Sequence, residues 1–323
     1  MTDSKFTHHH ERLNGRVQHF VTAGSGPAVL FCHGFPDLWR SWTNQLACVA
    51  QAGYCGIAPD LRGFGETEPA AAGTSYTPLD IIGDLVAILD HLGIEKACIV
   101  GHDWGAEVAW SAALIRPDRF ASILTLSVPY TPRGDASLPG IMAANAPPDF
   151  YMLYFLEPGP ADVELDAEPA RFLRNIYYTN SGDRPGGQPE MRIAADGTLM
   201  SALDEPDGPM AWFDEDEIAI YAEQFGRTGF TPALDTYRSL HRGWELRAAW
   251  ADLGVTVPAL TIYGDQDIVM RFPGMLECVA AQTSLLPRGE EPVCLPGCGH
   301  WPQRERAEQV NATLLSFLSR HAR

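Results

Sequence analysis

The chain reads as an α/β protein, with a mostly parallel, doubly wound sheet whose two halves are separated by an inserted helical segment. Three observations predict this. Apolar runs of strand length alternate with helix-period segments from Arg16 to Val128, and the pattern resumes from Pro258 to Ser319, as successive βαβ units require. Between them, from Tyr130 to about Trp250, prolines, glycines, acidic residues and helix-like segments take the place of strands. The loops that carry candidate chemistry all follow predicted strands, on the carboxyl edge where such sheets bind ligands. The expected division is residues 1–129 and 251–323 as the two parts of one sheet domain, with 130–250 as a helical lid across the strand ends.

Composition is consistent with that size of fold. The chain has 323 residues, 46% of them apolar, enough to bury a full core. The formal net charge of −18 comes from carboxylates spread along the chain, which argues for solubility and against binding of nucleic acid or anionic lipid. Seven scattered cysteines, among them Cys32, Cys98 and Cys294 in strand-like runs, are the usage of buried free thiols in a reducing compartment. A cytoplasmic location is expected. The segment Met1 to Arg12 is polar, with three consecutive histidines, and has no apolar core of a signal peptide; no run is long enough to span a membrane. Cys294, Cys298 and His300 have no second ligand pair of matching spacing, so neither metal nor cofactor is expected.

The elements follow in order. Arg16–Val21 and Ala28–Cys32 read as strands separated by Gly24-Ser25-Gly26-Pro27, residues that suit a tight hairpin. The second strand enters His33-Gly34-Phe35-Pro36, where the Phe35 backbone amide could serve developing negative charge whatever its side chain. Trp42–Ala52 reads as a helix and Gly56–Pro59 as a strand. Thr77 begins a capping-box pattern with Pro78 and Asp80, followed by a helix with Leu79, Ile82, Val86 and Leu89 at three- and four-residue steps and Gly93 at its end. Ala97–Val100 is a strand, Trp104–Ile115 a helix and Ser122–Val128 a strand. After the insertion come strands at Pro258–Tyr263 and Pro292–Leu295. A closing helix, Arg304–Ser319, has Val310, Leu314, Phe317 and Leu318 on one face.

The stretch Gly101-His102-Asp103-Trp104-Gly105 decides the chemistry. A buried strand ends there and a helix opens within two residues, so Asp103 sits on a tight turn flanked by glycines, the geometry of a nucleophile elbow with aspartate in the serine position. An aspartate there could simply cap the helix. Two later loops supply what a catalytic reading needs: Gly264-Asp265-Gln266-Asp267 and Gly297-Cys298-Gly299-His300-Trp301. Both follow strands, and together with Asp103 they give the chain order nucleophile, acid, histidine. An aspartate nucleophile is already ionised at neutral pH and needs no base for its attack. Histidine is then free to activate water against the resulting ester.

These motifs resemble the soluble epoxide hydrolases, of bacterial type, within the α/β-hydrolase fold. The likeness covers nearly the whole chain beyond its first dozen residues. It implies Asp103 as nucleophile, His300 as base and Asp267, rather than Asp265, as its acid partner. It also implies the amides of Phe35 and Trp104 as an oxyanion hole, and two lid tyrosines that protonate the opening epoxide. Tyr154-Phe155-Leu156-Glu157-Pro158-Gly159 resembles the family segment bearing one of these, which points to Tyr154. Thr236-Tyr237-Arg238 resembles the segment bearing the other, Tyr237, with Asp235-Thr236 departing from the family's usual Asn-Trp. Phe35, Trp104, Tyr154 and Tyr237 are then also the expected substrate contacts, whereas Tyr151, Tyr177, Tyr178 and Tyr221 read as packing residues. The partners expected are a small epoxide and water, with no nucleic acid and no membrane, and a homodimer is compatible with the sequence. A haloalkane dehalogenase shares the triad and is the nearest alternative, but Phe35 stands where those enzymes commonly place an amide or acid. The arginine expected for haloacid substrates is absent after Asp103, and no serine occupies the elbow as an esterase would need. A binding protein that kept the fold and lost turnover would have no need of an intact triad.

Overall fold

The structure is a computed structural model that describes residues 6–70, 76–187 and 191–322. Eight strands form one sheet: β1 Thr7–Leu13, β2 Arg16–Gly24, β3 Ala28–Cys32, β4 Cys55–Pro59, β5 Ala97–His102, β6 Phe120–Leu126, β7 Ala259–Gly264 and β8 Val293–Leu295. Their order is β1-β2-β4-β3-β5-β6-β7-β8. From β4 through β8 every neighbouring pair is parallel, while β2 runs antiparallel to both β1 and β4. Alternate side chains of the central strands point to opposite faces. Leu30, Ile57, Ile99 and Ile123 join one core, and Val29, Phe31, Ala58, Val100 and Leu124 join the other.

Helices cover both faces. Helix α1 (Thr43–Gln51) and the last helix contribute Leu46, Val49, Val310, Leu314, Phe317 and Leu318 to one side, whereas α2 (Pro78–His91) and α3 (Trp104–Ile115) pack on the other. In α2, Thr77 and Asp80 form the expected reciprocal cap. Its buried stripe is Ile81, Ile82, Leu85, Ile88 and Leu89, so the apolar face is rotated from the expected one and leaves Leu79 and Val86 at its margin.

Three elements differ from the sequence reading. Strand β1 lies in the polar N-terminal segment, and as an exposed edge strand it carries no apolar alternation to reveal it. Strands β2 and β3 do not form a hairpin, because β4 lies between them. Gly24 and Gly26 instead let the connection pass over the turn before β4: a Cβ on Gly24 would lie 2.4 Å from the Tyr54 carbonyl oxygen, and one on Gly26 would lie 2.1 Å from that of Gly53. The closing helix is divided at Arg306, whose φ is −133°.

Between β6 and β7 the described residues form helices and loops without a strand. The helices are α4 (Leu138–Asn145), α5 (Tyr151–Leu156), α6 (Pro160–Ala167), α7 (Pro169–Thr179), α8 (Glu215–Thr228), α9 (Thr231–Arg238) and α10 (Leu240–Leu246). After β7 come α11 (Met275–Leu285), α12 (Pro302–Glu305) and α13 (Ala307–His321). No helix of the described chain is long and apolar enough to cross a membrane.

Strands β3 and β5 are neighbours although β4 intervenes in sequence, so the winding reverses between them. Ligand crevices of α/β sheets form outside the carboxyl ends of strands at such a reversal. The His33–Pro36 loop leaves β3 at that edge, and the Asp103 turn leaves β5 beside it.

Candidate active site

Asp103 occupies the turn between β5 and α3 with φ 53° and ψ −122°. For a residue with a Cβ this conformation costs on the order of 1–3 kcal/mol and is held only by what surrounds it. The surroundings are backbone at close range: a Cβ on Gly101 would lie 2.3 Å from the Gly105 carbonyl oxygen, and one on Gly105 would lie 2.1 Å from that of Cys32. The Asp103 side chain makes no capping hydrogen bond to α3. It turns away from the helix, and its Oδ1 accepts the Phe35 backbone N–H at 2.9 Å. Trp104 is the first residue of α3, so its backbone N–H has no intrahelical acceptor.

His300 stands between two carboxylates. Its Nε2 lies 3.5 Å from Asp103 Oδ2, and its Nδ1–H donates to Asp267 Oδ1 at 2.9 Å. Asp267 is buried and its Oδ1 also accepts the Val269 N–H at 3.0 Å. Asp265, by contrast, is exposed and accepts the Gly297 N–H at 2.7 Å. The structure thus brings Asp103, His300 and Asp267 together and leaves Asp265 to shape the loop.

Burial opposes charge on the imidazole, but the charge of Asp267 and the hydrogen bonds to Asp103 and Asp267 outweigh it and raise the His300 pKa to about 10. Burial likewise opposes ionisation of Asp103, and the His300 hydrogen bond and charge reverse that and hold its pKa below the usual carboxylate value. The resting pair is therefore an imidazolium facing a carboxylate.

Two supports of this arrangement were not visible in the sequence. Ser127 follows β6 directly, with φ 75°; its hydroxyl donates to Asp267 Oδ2, and its oxygen lies 3.0 Å from His300 Nδ1. Glu305 is the second. Its buried carboxylate accepts N–H groups from Gly299 at 2.8 Å, Trp301 at 3.0 Å and Gly182 at 2.8 Å. The His300 backbone N–H donates to the Asn180 carbonyl at 2.9 Å. The loop bearing His300 is thereby tied to the segment after α7. A serine after a strand and a glutamate in a helical run carry no distinguishing sequence pattern, so neither could be singled out.

The helical segment presents aromatic rings over Asp103. Phe35 lies 5.5 Å, centroid to centroid, from both Phe155 and Tyr237, and Tyr237 stands edge-on to Trp104 at 4.8 Å. Tyr237 is buried, and its pKa is raised well above the ordinary value by burial and by the neighbouring Tyr151 and Asp103. Tyr154 requires a correction. It does not face the nucleophile: its hydroxyl donates to Glu164 Oε2 at 2.7 Å, and burial together with Glu164 raises its pKa. Glu164 also accepts the N–H groups of Leu199 and Met200, so Tyr154 belongs to a joint within the helical segment. Tyr151, one helical turn earlier and read from sequence as packing, is the tyrosine beside the site. Burial and then the charges of Asp103 and Asp267 raise its pKa. The three-residue offset explains the misassignment, since both tyrosines fall in one short aromatic stretch and only helix phase distinguishes them.

A parallel sheet with aspartate on the turn after β5, histidine after β8 and a second aspartate after β7 defines an α/β-hydrolase. The family model for the alpha/beta hydrolase fold matches residues 27–307. Epoxide hydrolase 3 of Siraitia grosvenorii is 40% identical over 311 residues, which cover 95% of this chain and 96% of that protein. Epoxide hydrolase A of Mycobacterium tuberculosis is 41% identical over 321 residues, covering 96% and 97%. The solved structure of an epoxide hydrolase from an endophytic Streptomyces superposes with a TM-score of 0.91 at 36% identity, covering 98% of this chain and 96% of that one. The chain belongs to the epoxide hydrolase family of the α/β-hydrolase fold.

The electrostatics of the pair can be measured without substrate. Two carboxylates favour the charged imidazole, so replacing Asp103 with asparagine removes one of them and should lower the His300 pKa by at least about one unit, each unit being about 1.4 kcal/mol of differential interaction. NMR titration of ring-labelled histidine in wild type and Asp103→Asn checks this. An unchanged His300 titration would show that Asp103 contributes nothing to the shift.

Proposed function

We propose that this protein hydrolyses an epoxide to a vicinal diol through a covalent alkyl ester on Asp103. The observation that carries this reading is the position of the Asp103 carboxylate, turned away from its own helix onto the Phe35 amide and His300. In the first step an Asp103 oxygen attacks an epoxide carbon and the carbon–oxygen bond of the ring breaks. The leaving oxygen takes a proton from a lid phenol, which suits the task because a phenol is a far stronger acid than water and stays protonated at neutral pH. We assign this role to Tyr151 and Tyr237, and we treat residues 130–250 as the lid that carries them.

Ester formation removes the negative charge of Asp103. The same change that the asparagine variant mimics then lowers the His300 pKa at the stage where a base is needed. The imidazolium gives up its proton, which restores the phenol left ionised by ring opening, and neutral His300, oriented by Asp267, then takes a proton from water as the water oxygen attacks the ester carbonyl carbon. The carbonyl oxygen becomes an oxyanion, for which the Phe35 N–H already lies 2.9 Å from Asp103 Oδ1 and the free Trp104 N–H is the second donor. Collapse breaks the bond between the Asp103 carbonyl carbon and the diol oxygen, which leaves with one proton, while the other stays on His300 beside the restored carboxylate.

Diol formation on a panel of styrene-type, aliphatic and fatty-acid epoxides, run beside a halide-release assay on haloalkanes, tests the activity; halide release without diol would replace this reading with a dehalogenase. For the two steps, His300→Gln should still be alkylated but should not turn over, so intact-protein mass spectrometry should show one substrate mass on the Asp103 peptide. A variant that neither turns over nor gains mass would contradict the ester. For the acids, Tyr151→Phe and Tyr237→Phe should each slow ring opening by about 10² to 10³, as loss of a transition-state donor does, and the double variant should be slower than either. Tyr154→Phe should leave ring opening within a few-fold of wild type. The reverse ranking of Tyr151 and Tyr154 in single-turnover assays would return the acid role to Tyr154.

A further inference from the structure

Three histidines in a row, His8 to His10, take no part in the chemistry above. Side chains two apart on a strand share a face, so His8 and His10 of β1 point together, and the strand register sets His10 directly opposite His19 of β2. The rings of His8 and His10 stack on that of His19, with centroids 5.2 Å and 4.7 Å away. His8 Nδ1 lies 2.9 Å from His19 Nε2, and His10 Nε2 lies 2.8 Å from Glu66 Oε2. The candidate ligand atoms of His10, His19 and Glu66 all fall within 4.8 Å of one another.

His19 is the distinctive member. It is fully buried, and its Nδ1–H donates to Oδ2 of the buried Asp60 at 2.7 Å. Asp60 is itself fixed by the N–H groups of Trp39 and Glu66, both at 3.0 Å. A carboxylate on one ring nitrogen fixes the tautomer and turns the other nitrogen outward with its lone pair, the arrangement that orients histidine ligands in metalloproteins. Here that lone pair faces His8 and lies beside His10 and Glu66.

We propose that His8, His10, His19 and Glu66 form a site for a divalent transition ion of the zinc class, held by three imidazole nitrogens and one carboxylate oxygen. Such donors suit zinc, and ligand bonds of about 2.0–2.2 Å in a tetrahedron place neighbouring ligand atoms about 3.4 Å apart. The three atoms within 4.8 Å close to that spacing by small rotations of His10 and Glu66, both of which are exposed side chains. The ion takes the place of the proton between His8 and His19; His8 then coordinates through Nδ1 and keeps its proton on Nε2. The site joins β1, β2 and the loop after β4. Since β1 is an edge strand paired with β2 alone, the ion acts as a staple that fastens the N-terminal strand to the sheet.

The test is a ZnCl2 titration of the chelator-treated full chain by calorimetry at pH 7.5, with thermal unfolding followed in parallel. One equivalent should bind and raise the unfolding temperature. His10→Ala and Glu66→Gln should each weaken binding by at least about tenfold and abolish the thermal shift, while epoxide turnover stays at the wild-type level. Both substitutions fall on exposed side chains, and circular dichroism checks that the variants fold. Absence of binding at 100 µM zinc, used here as an order-of-magnitude ceiling for a structural site, would overturn the proposal. Binding of unchanged stoichiometry and affinity in the double variant would overturn it as well.

Discussion

His300 is held between Asp103 and Asp267, and most of what is distinctive in the structure serves that contact. Burial opposes charge on both Asp103 and His300, and the contact between them offsets that penalty, so displacing the histidine would leave a buried charge unpaired. The three side chains therefore have to be held in place by what surrounds them. Asp103 is fixed by a strained turn packed against β3, Asp267 by Ser127 and the Val269 amide, and His300 by a loop whose amides converge on Glu305. Three strands, a buried carboxylate and the segment after α7 converge on one imidazole.

In the mechanism we propose, the same arrangement gives the two chemical steps different electrostatics. While Asp103 is ionised, His300 is an imidazolium and cannot act as a base. Once Asp103 is esterified, one of the two charges that stabilise the imidazolium is gone, so its pKa falls, it gives up its proton, and the neutral ring can accept one from water. The aromatic rings of Phe35, Phe155 and Tyr237 beside the site are themselves buried and pack edge to face, with Phe35 at their centre.

Much of this was legible in the sequence, for identifiable reasons. Gly101 and Gly105 mark close approaches of backbone, and such approaches leave glycine as their signature. The triad residues sit on loops directly after apolar strands, where chain order alone constrains them. The resemblance chose Asp267 over Asp265, and the contacts explain that choice, since only one of the two side chains points inward. Tyr151 and Tyr154 differ only in helix phase, in a helix of six residues too short to display a period, so the sequence could not say which of them lies beside Asp103. Strand β1 was missed because a solvated edge strand has no apolar alternation, and the β2–β3 pairing was misjudged because a glycine-rich connection looks alike whether it turns a hairpin or crosses a neighbouring turn. Ser127 and Glu305 act through partners that are distant in sequence, and nothing local announces them.

The covalent ester on Asp103 is the claim on which the rest of the account depends, and the source of the oxygen added to the substrate tests it most directly. Wild-type protein in excess over epoxide, in ¹⁸O-enriched water and quenched after a single turnover, should give unlabelled diol, because the added oxygen comes from the Asp103 carboxylate. The label should appear in the Asp103 peptide, delivered there by water's attack on the ester carbonyl. Diol carrying ¹⁸O from the first turnover, with no label in Asp103, would mean that water attacks the epoxide directly and would contradict the account.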